Sequence, residues 1–366
     1  MSARVLGMGG AFTGLADDSA ALIYNPAGLA WRSDVNIRAW AGAKARNLFE
    51  VRDDLEMGEI FHDEKPPKKM TEALPDDVDS ALDGSAVLSL GTTAAGAEII
   101  EFVHGRTEAP GGEADKYELA YNQMRNLRFG LGDRIISVPA EVGTALYGLN
   151  IRYTTMEMES CRIQDPSDEE AEKVIYEGEG AGFALDGGLL IQLTPNIHMG
   201  ALVENILARD VELESSNKFF RYERADNETE NEDTDDGEGS WDPIEDGTED
   251  DSSDEISPSR RGRIGFNARL PALNTEVLLD VDNVPLLTEG DTDAKIYAGL
   301  ENELMTEVLK VRAGTYRDGF SGDKNEYRVF TGGLGLNLTI FEADLGLGWA
   351  PQNDIKMARV EIGLGF

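Results

Sequence analysis

Cysteine is nearly missing from this 366-residue chain; Cys161 is the only one. An internal disulfide and a thiolate metal cluster are therefore excluded. Histidine is scarce as well. His62, His104 and His198 are scattered, and no local spacing supports a metal site or a catalytic triad. Positive charge is in short supply: 33 Lys and Arg stand against 70 Asp and Glu, a formal net charge of -37. Nucleic-acid binding needs clustered cations to neutralise phosphates, so no nucleic-acid partner is expected. The same balance weighs against docking onto an anionic lipid surface. No run of about 18 apolar residues exists, so no transmembrane helix is expected. No convincing set of nucleophile, base and oxyanion donors is found, and no enzyme is expected.

What the chain does have is glycine, 40 residues of it, and a period of two. In "MARVEIGLGF", Ala358, Val360, Ile362, Leu364 and Phe366 share one face, opposite Met357, Arg359, Glu361, Gly363 and Gly365. In "FEADLGLGW", Phe341, Ala343, Leu345, Leu347 and Trp349 oppose Glu342, Asp344, Gly346 and Gly348. "RIGFNARL", from Arg263 to Leu270, alternates in the same way. Successive strand residues point to opposite faces, so each segment has one apolar face and one polar or glycine face. Similar segments run through the rest of the chain, giving roughly 13 to 15 candidate strands.

A soluble β-sandwich with one wet face and a closed barrel both fit this pattern. Many candidate strands reach about 9 to 13 residues, whereas soluble strands average about 5 or 6. Membrane-spanning strands need about 9 to 11. The polar face carries Arg, Asp and Glu deep inside the strands, as a lumen would. The expected fold is thus all-β: a transmembrane antiparallel β-barrel of about 14 strands. Trp349, Phe341, Tyr316 and Tyr327 sit near strand ends and suit interfacial girdles. "LTPN" (193–196) and "NLTIFE" (337–342) read as short turns. Long acidic outer loops are expected at about 48–84, 157–180 and 212–258. The acidic run in the last matches no calcium-loop pattern, so no metal is expected. The acidity fits either a few acidic loops or adaptation to high salt, a halophilic trait.

Ahead of the first strand lies "ARVLGMGGAFTGLADDSAALIYNPAGLA". Its glycines mimic a dinucleotide fingerprint, but no strand precedes them and no βαβ unit follows, so no cofactor is expected. Gly7 to Phe12, Ala16 to Ala20 and Asn25 to Leu29 together resemble the mature N-terminus of the FadL-like outer-membrane proteins, including the PorV-like group. "GFALDGGLLIQLTPNIHMGALVENI" resembles the paired strands of that group. The terminal Phe366 resembles the signal read by outer-membrane assembly machinery. The resemblance implies that residues 1–33 form a small helical hatch, or plug, inside the lumen and that 34–366 form the barrel. Asp17, Asp18, Asn25, Pro26, Ala27 and Gly28 would be its motif residues. Asp17, Asp18 and Ser19 suit a helix cap, Pro26 ends the helix, and Gly28 permits a reversal.

Parity assigns Arg38, Arg152, Arg263, Arg269, Arg312 and Arg359 to the lumen, with Asp186, Glu204, Asp280, Glu342, Asp344 and Glu361. Such charges are expected to pair with one another and to hold the hatch. The resemblance implies passage of hydrophobic small molecules such as fatty acids, with outer-membrane lipid and assembly machinery as partners. The alternative it implies is a PorV-like role in protein secretion, holding cargo for a secretion partner. A soluble, salt-adapted β protein is the third reading. Outer-membrane placement requires export, and "MSARVLGMGG" lacks the signal-peptide pattern. The expectation is that numbering begins at a processed N-terminus or downstream of the true start.

Overall fold

The computed structural model describes residues 1–46, 77–108, 116–135, 143–164, 172–224, 239–244, 252–289, 293–304, 308–318 and 327–366. An N-terminal segment carries α1 (Ala3–Gly7), α2 (Ala21–Tyr24) and a 3-10 turn (Pro26–Trp31). Strands β1 (Val35–Arg46), β2 (Asp77–Leu90), β3 (Thr93–Glu108), β4 (Lys116–Arg134), β5 (Thr144–Gln164) and β6 (Glu172–Thr194) follow. Then come β7 (Ile197–Ala208), β8 (Val211–Arg224), β9 (Gly239–Pro243), β10 (Ser252–Ile256), β11 (Arg261–Leu270) and β12 (Thr275–Asp282). The chain closes with β13 (Lys295–Leu304), β14 (Leu309–Asp318), β15 (Tyr327–Leu338), β16 (Phe341–Ala350) and β17 (Ile355–Gly365).

Every neighbouring pair is antiparallel, and β1 pairs with β17, so the sheet closes on itself. β7 and β8 pair successively with β6, and β10 and β11 lie beside β8 and β7. β9 pairs with the upper part of β8, so β7–β8 act as one broken long strand and β9–β10–β11 as another, and the ring counts 14. A closed ring leaves no strand edge unpaired, which is what hydrocarbon surroundings demand of a spanning sheet.

Parity sorts the side chains cleanly. On β17, Val360 and Ile362 are more than half exposed while Glu361 is buried. On β16, Leu347 and Trp349 face out while Asp344 and Ala350 are buried. Ile37, Phe129, Ile151, Phe330 and Leu334 extend the exposed apolar face around the ring. An apolar exterior around a polar interior inverts a soluble protein and matches a membrane barrel. No helix among the described residues is long and apolar enough to cross a membrane. That absence says nothing of a β-barrel, which crosses with strands.

Some expectations need correction. Tyr316 and Tyr327 do not belong to an outer girdle; both are buried on the inner face, and Tyr316 stacks on Tyr297 at 5.5 Å. Strand-end position alone did not decide their face; parity with the neighbouring buried Arg312 and Val329 does. The segments expected as loops are partly strand. Residues 77–84, 157–164, 172–180, 212–224, 239–243 and 252–256 belong to strands, and 48–76, 165–171, 225–238 and 245–251 lie outside the described residues. Above an apolar band both faces of a hairpin meet water, so the alternation that marks a strand fades there. The turns at 193–196 and 337–342 are found between β6 and β7 and between β15 and β16.

The outward face generates a stability prediction. Val360→Arg, in the middle of β17, should cost about 2–4 kcal/mol of folding free energy in lipid vesicles. Denaturant titration of the folded fraction measures it. A change near zero would mean that this face does not meet hydrocarbon.

Candidate functional site: the filled lumen and a break in its wall

Residues 2–16 and 18–22 are buried almost without interruption, and they lie inside the ring. The sequence makes room for them with glycines on the inner wall. A Cβ on Gly346 would strike Ala3, on Gly299 it would strike Met8, and on Gly314 it would strike Gly9. Gly200 lies against Thr13, Gly148 against Pro26 and Gly132 against Ala30. Backbone therefore touches backbone around most of the circumference, a spacing that only glycine allows. Ser2 caps α1, accepting from Val5 N.

The hatch-motif residues have distinct positions. Asn25 caps the 3-10 turn by accepting from Ala27 N at 3.2 Å. Its Nδ2 donates to Thr13 O (2.9 Å) and to Leu189 O on β6 (3.1 Å), tying the segment to itself and to the wall. Pro26 begins the turn, and Ala27 is buried against Leu146 and Leu190. Gly28 packs on the carbonyl of Ala16, whose φ is 36°. Asp18 accepts from Ala20 N at 2.8 Å and pairs with Arg4 at 2.9 Å. Asp17 is exposed but also pairs with Arg4, at 2.7 Å.

Arg4 is the centre of a buried charge network. It binds Glu301 on β13 (3.0 Å), and Glu301 binds Arg312 on β14 (2.5 Å). Arg312 binds Asp344 on β16 (2.5 Å). Arg38 on β1 meets Glu361 (2.7 Å), Asp18 (3.6 Å), Asp344 (3.7 Å) and Glu342. Glu361 also accepts from Arg4 N at 3.1 Å. Elsewhere on the inner wall, Asp280 accepts from Phe12 N and Thr13 N, both at 2.9 Å. Arg263 pairs with Asp282 (2.9 Å) and lies 4.7 Å from the Tyr297 ring centroid. Arg359 donates to Met1 O (2.7 Å) and pairs with Asp83. Arg269 stands apart, half exposed near the turn end, and pairs with Glu303 at 3.3 Å. Burial pushes the Asp18 carboxyl up, but Arg38 and Arg4 overcome this and hold it at about 2. Burial likewise works against the Arg4 charge; Asp17, Glu301 and Asp18 raise it well above the usual guanidinium range.

A second feature is a break in the wall. The β7–β11 ladder ends at Glu204↔Arg261, and the β8–β10 ladder begins at Val211↔Ile256. Between them, 205–210 and 257–260 make no ladder pairs with each other, although Leu207 and Ala208 still pair with β6. The β6–β7 register also slips here, between Leu185 and Gly187. The other neighbouring strand pairs run without slips over their described lengths. Side chains replace the missing ladder. Asn205, at φ 56°, donates from Nδ2 to Ser259 O (2.9 Å) and from its backbone N to Asp186 (2.9 Å). Arg152 donates to Asn205 Oδ1 at 2.5 Å and lies 3.9 Å from Glu204. Asp186 is shared by Arg128 (3.5 Å), Arg152 (3.7 Å) and Asn150 (3.2 Å), and Asn150 donates to Leu22 O in the N-terminal segment (3.2 Å). Beside the break is a cavity of ≈ 440 Å³ lined by Tyr153, Phe183, Arg209 and Leu213 among others. Exposed Leu207 and Phe183 flank it.

Sequence reasoning missed Arg4, Glu301, Arg128, Asn150 and Asn205. Parity would have found Glu301 and Arg128. Arg4 lies outside any strand, and nothing local marks it. Asn205 would have been read as an ordinary strand residue.

No family model and no curated protein matches this sequence. Solved structures do match. The chain superposes over its whole length on the toluene transporter TbuX of Ralstonia pickettii, with a TM-score of 0.58, 10% identity and 97% of that chain covered. This is the FadL-type barrel fold. The Pseudomonas putida toluene transporter TodX matches at TM-score 0.57 and 11% identity, over 100% of this chain and 96% of that one. A Pseudomonas aeruginosa FadL homologue matches at 0.58 and 8%, over 100% and 98%.

Two outcomes test the internal packing. Asn25→Ala should leave the barrel folded yet make the N-terminal segment cleavable by an added protease, with small-solute leakage raised several-fold in a liposome swelling assay. Unchanged cleavage and leakage would remove Asn25 from the packing argument. Asp18 sets a pH window. Its folded value lies below the ordinary 3.8, so its stabilisation is complete above that value and is lost as pH falls towards about 2. Leakage of the wild type should therefore begin only below about pH 3.9. Asp18→Asn should leak at neutral pH; a tight variant would show that this ion pair does not hold the segment.

Proposed function

We propose that this protein sits in an outer membrane and passes hydrophobic small molecules, with its N-terminal segment as the hatch. The observation that carries this reading is the joint one of a filled lumen and a single broken ladder in the wall among the described residues. A lumen lined by paired charges and packed backbone to backbone offers little to an apolar solute. The break, bordered by Phe183, Tyr153 and Leu207, offers an apolar way between lumen and lipid. Neighbours named as toluene transporters and a FadL homologue support passage of an apolar solute. Monoaromatic hydrocarbons and fatty acids are the two substrate classes to compare.

The hatch and the break share one set of hydrogen bonds. Leu22 O, Asn150, Asp186 and Asn205 N form a chain from plug to wall. Movement of the hatch by a bond length releases Asn150 and with it one of the partners that fix Asp186. The Asn205 clasp then loses its anchor, and the wall opens where it is already unladdered. No described feature favours a secretion role, so that reading is not developed.

The test is uptake of labelled toluene and oleate by cells relying on this barrel. An Asn205→Cys, Ser259→Cys pair, placed in a Cys161→Ser background, should close the break when oxidised. Uptake should then fall about tenfold and return on reduction, with no change in conductance to small polar solutes. Full uptake through the oxidised barrel would mean that solutes do not leave by this wall. Absence of uptake by the wild-type protein would end the transport reading.

A further inference from the structure

The run "MEME" (156–159) on β5 takes no part in the hatch or the wall break. Facing alternates along a strand, so Met156 and Met158 lie on one face and Glu157 and Glu159 on the other. The methionine face is the lumen face. It has the parity of Asn150 and Arg152, which reach Leu22 O and Asp186. Met124 on β4 is the direct register partner of Met156, and it has the parity of Arg128, which also reaches Asp186. Directly opposed residues hold their Cβ atoms about 4.5–5.5 Å apart, and the two-residue step from Met156 to Met158 is about 7 Å. Three of the chain's ten methionines thus share one patch, and all three are partly exposed.

The patch lies on the tall side of the barrel, about 20 Å along β4 from Gly130, where Leu22 of the N-terminal segment packs. Its neighbours on the same face are apolar. Ile100 on β3 is the partner of Met124. Gly180 on β6 is the partner of Met156, and Val211 and Leu213 pack over that glycine. Gly178 is the partner of Met158, with the Tyr176 ring against it. On β3, β4, β5, β6 and β8 these two rows hold no carboxylate and no imidazole, so a hard cation finds no anionic oxygen there. Among the described residues no group of His, Cys, Asp and Glu is placed to hold a metal ion. The sequence reading that expects no metal rests on those residue types and passes over methionine. Thioether sulfur is a different ligand: uncharged, polarizable and matched to soft cations such as Cu(I).

We propose that Met124, Met156 and Met158 bind one soft monovalent cation, Cu(I), through their three thioether sulfurs. Methionine is unbranched and has three rotatable bonds, so sulfurs rooted about 5 to 7 Å apart can turn towards a common centre. The Tyr176 ring beside them adds an aromatic face that attracts a cation. A net charge of -37 raises the local concentration of cations at the mouth that leads to the patch. Thioethers carry no proton to displace, so this site, unlike one of thiolate or imidazole, holds its metal independently of pH. It needs the barrel and its register but neither transport nor movement of the hatch.

The test uses full-length protein carrying Cys161→Ser, which removes the one thiol. It is folded in an uncharged detergent, its barrel verified by heat-modifiable gel migration. Ag(I), the redox-inert analogue of Cu(I), is added in chloride-free buffer, and bound metal is counted by native mass spectrometry. One Ag(I) per barrel is expected, with an affinity unchanged between about pH 5 and 8 and with sulfur neighbours in X-ray absorption. Leucine conserves the volume of methionine, so Met124→Leu, Met156→Leu and Met158→Leu should each fold and each weaken binding about tenfold. The triple variant should bind none, while Met199→Leu on the outer face of β7 should bind as before. Should the triple variant lack the heat-modifiable band, the single variants decide. Absence of bound Ag(I) in the Cys161→Ser protein, or undiminished binding by the methionine variants, overturns the proposal. Displacement by excess Ca(II), or loss of binding at about pH 5, would place the ion on carboxylates or imidazole and overturn the thioether assignment.

Discussion

Arg4 and the carboxylates around it are what the interior depends on. A closed ring of this many strands encloses more space than its own inward side chains fill, and an unfilled polar lumen would be a water channel. The chain fills it with its own first residues, which must then be held by something stronger than apolar contact. A guanidinium withdrawn from water is costly unless several acceptors surround it. Arg4 has three carboxylates, and through Glu301 it joins Arg312, Asp344 and Arg38. The network therefore links β1, β13, β14, β16 and β17 to the N-terminal segment. Removing one member leaves a buried charge without its partner, so the network stands or falls together.

Charge alone would not position the segment; the glycines do that. Where Gly299, Gly314 and Gly346 meet Met8, Gly9 and Ala3, the wall has no side chain to yield. Contacts between backbones are stiff, and close-packed interiors transmit displacement instead of absorbing it. The N-terminal segment is consequently held all round, since Gly132, Gly148 and Gly200 meet Ala30, Pro26 and Thr13 in the same way on β4, β5 and β7. On that side single hydrogen bonds add to the contact, from Asn150 to Leu22 O and from Asn25 to Leu189 O. That is the side where the wall is broken.

Much of this was legible beforehand, for a physical reason. A membrane barrel must alternate strictly over its apolar band, so parity at Val360, Ile362, Leu347 and Phe266 revealed both fold and facing. The same parity placed Arg38, Arg312 and Asp344 together on the inner face, where they meet. Tyr316 and Tyr327 were misjudged because position along a strand was allowed to outweigh parity. The upper parts of β5, β6 and β8 escaped notice because water on both faces imposes no alternation. Arg4 and the Asn205 clasp were invisible for a different reason. Both depend on which distant strands the ring brings together, and a residue in a non-repeating segment carries no periodic mark.

The wall break itself follows from unequal strand lengths. β4, β5 and β6 run 19, 21 and 23 residues, whereas β11 to β14 run 8 to 10. Strands of such different height must meet somewhere, and they meet at β7–β8 and β10–β11. On one side β7 and β8 must follow β6 to its full height. On the other they face β11, which begins at Arg261, with the short β10 continuing above it. Sheet twist accumulates differently along a long and a short partner, and a slip in register is the local remedy. Pro258, which has no N–H to give to a ladder, lies within the gap. The remaining backbone groups need partners, and Asn205 supplies one to Ser259 O while Asp186 takes one from Asn205 N. An interruption closed by side chains opens at the cost of a few hydrogen bonds, whereas opening an intact ladder would cost two at every second residue. The asymmetry in strand length thus determines where a barrel otherwise closed all round is interrupted.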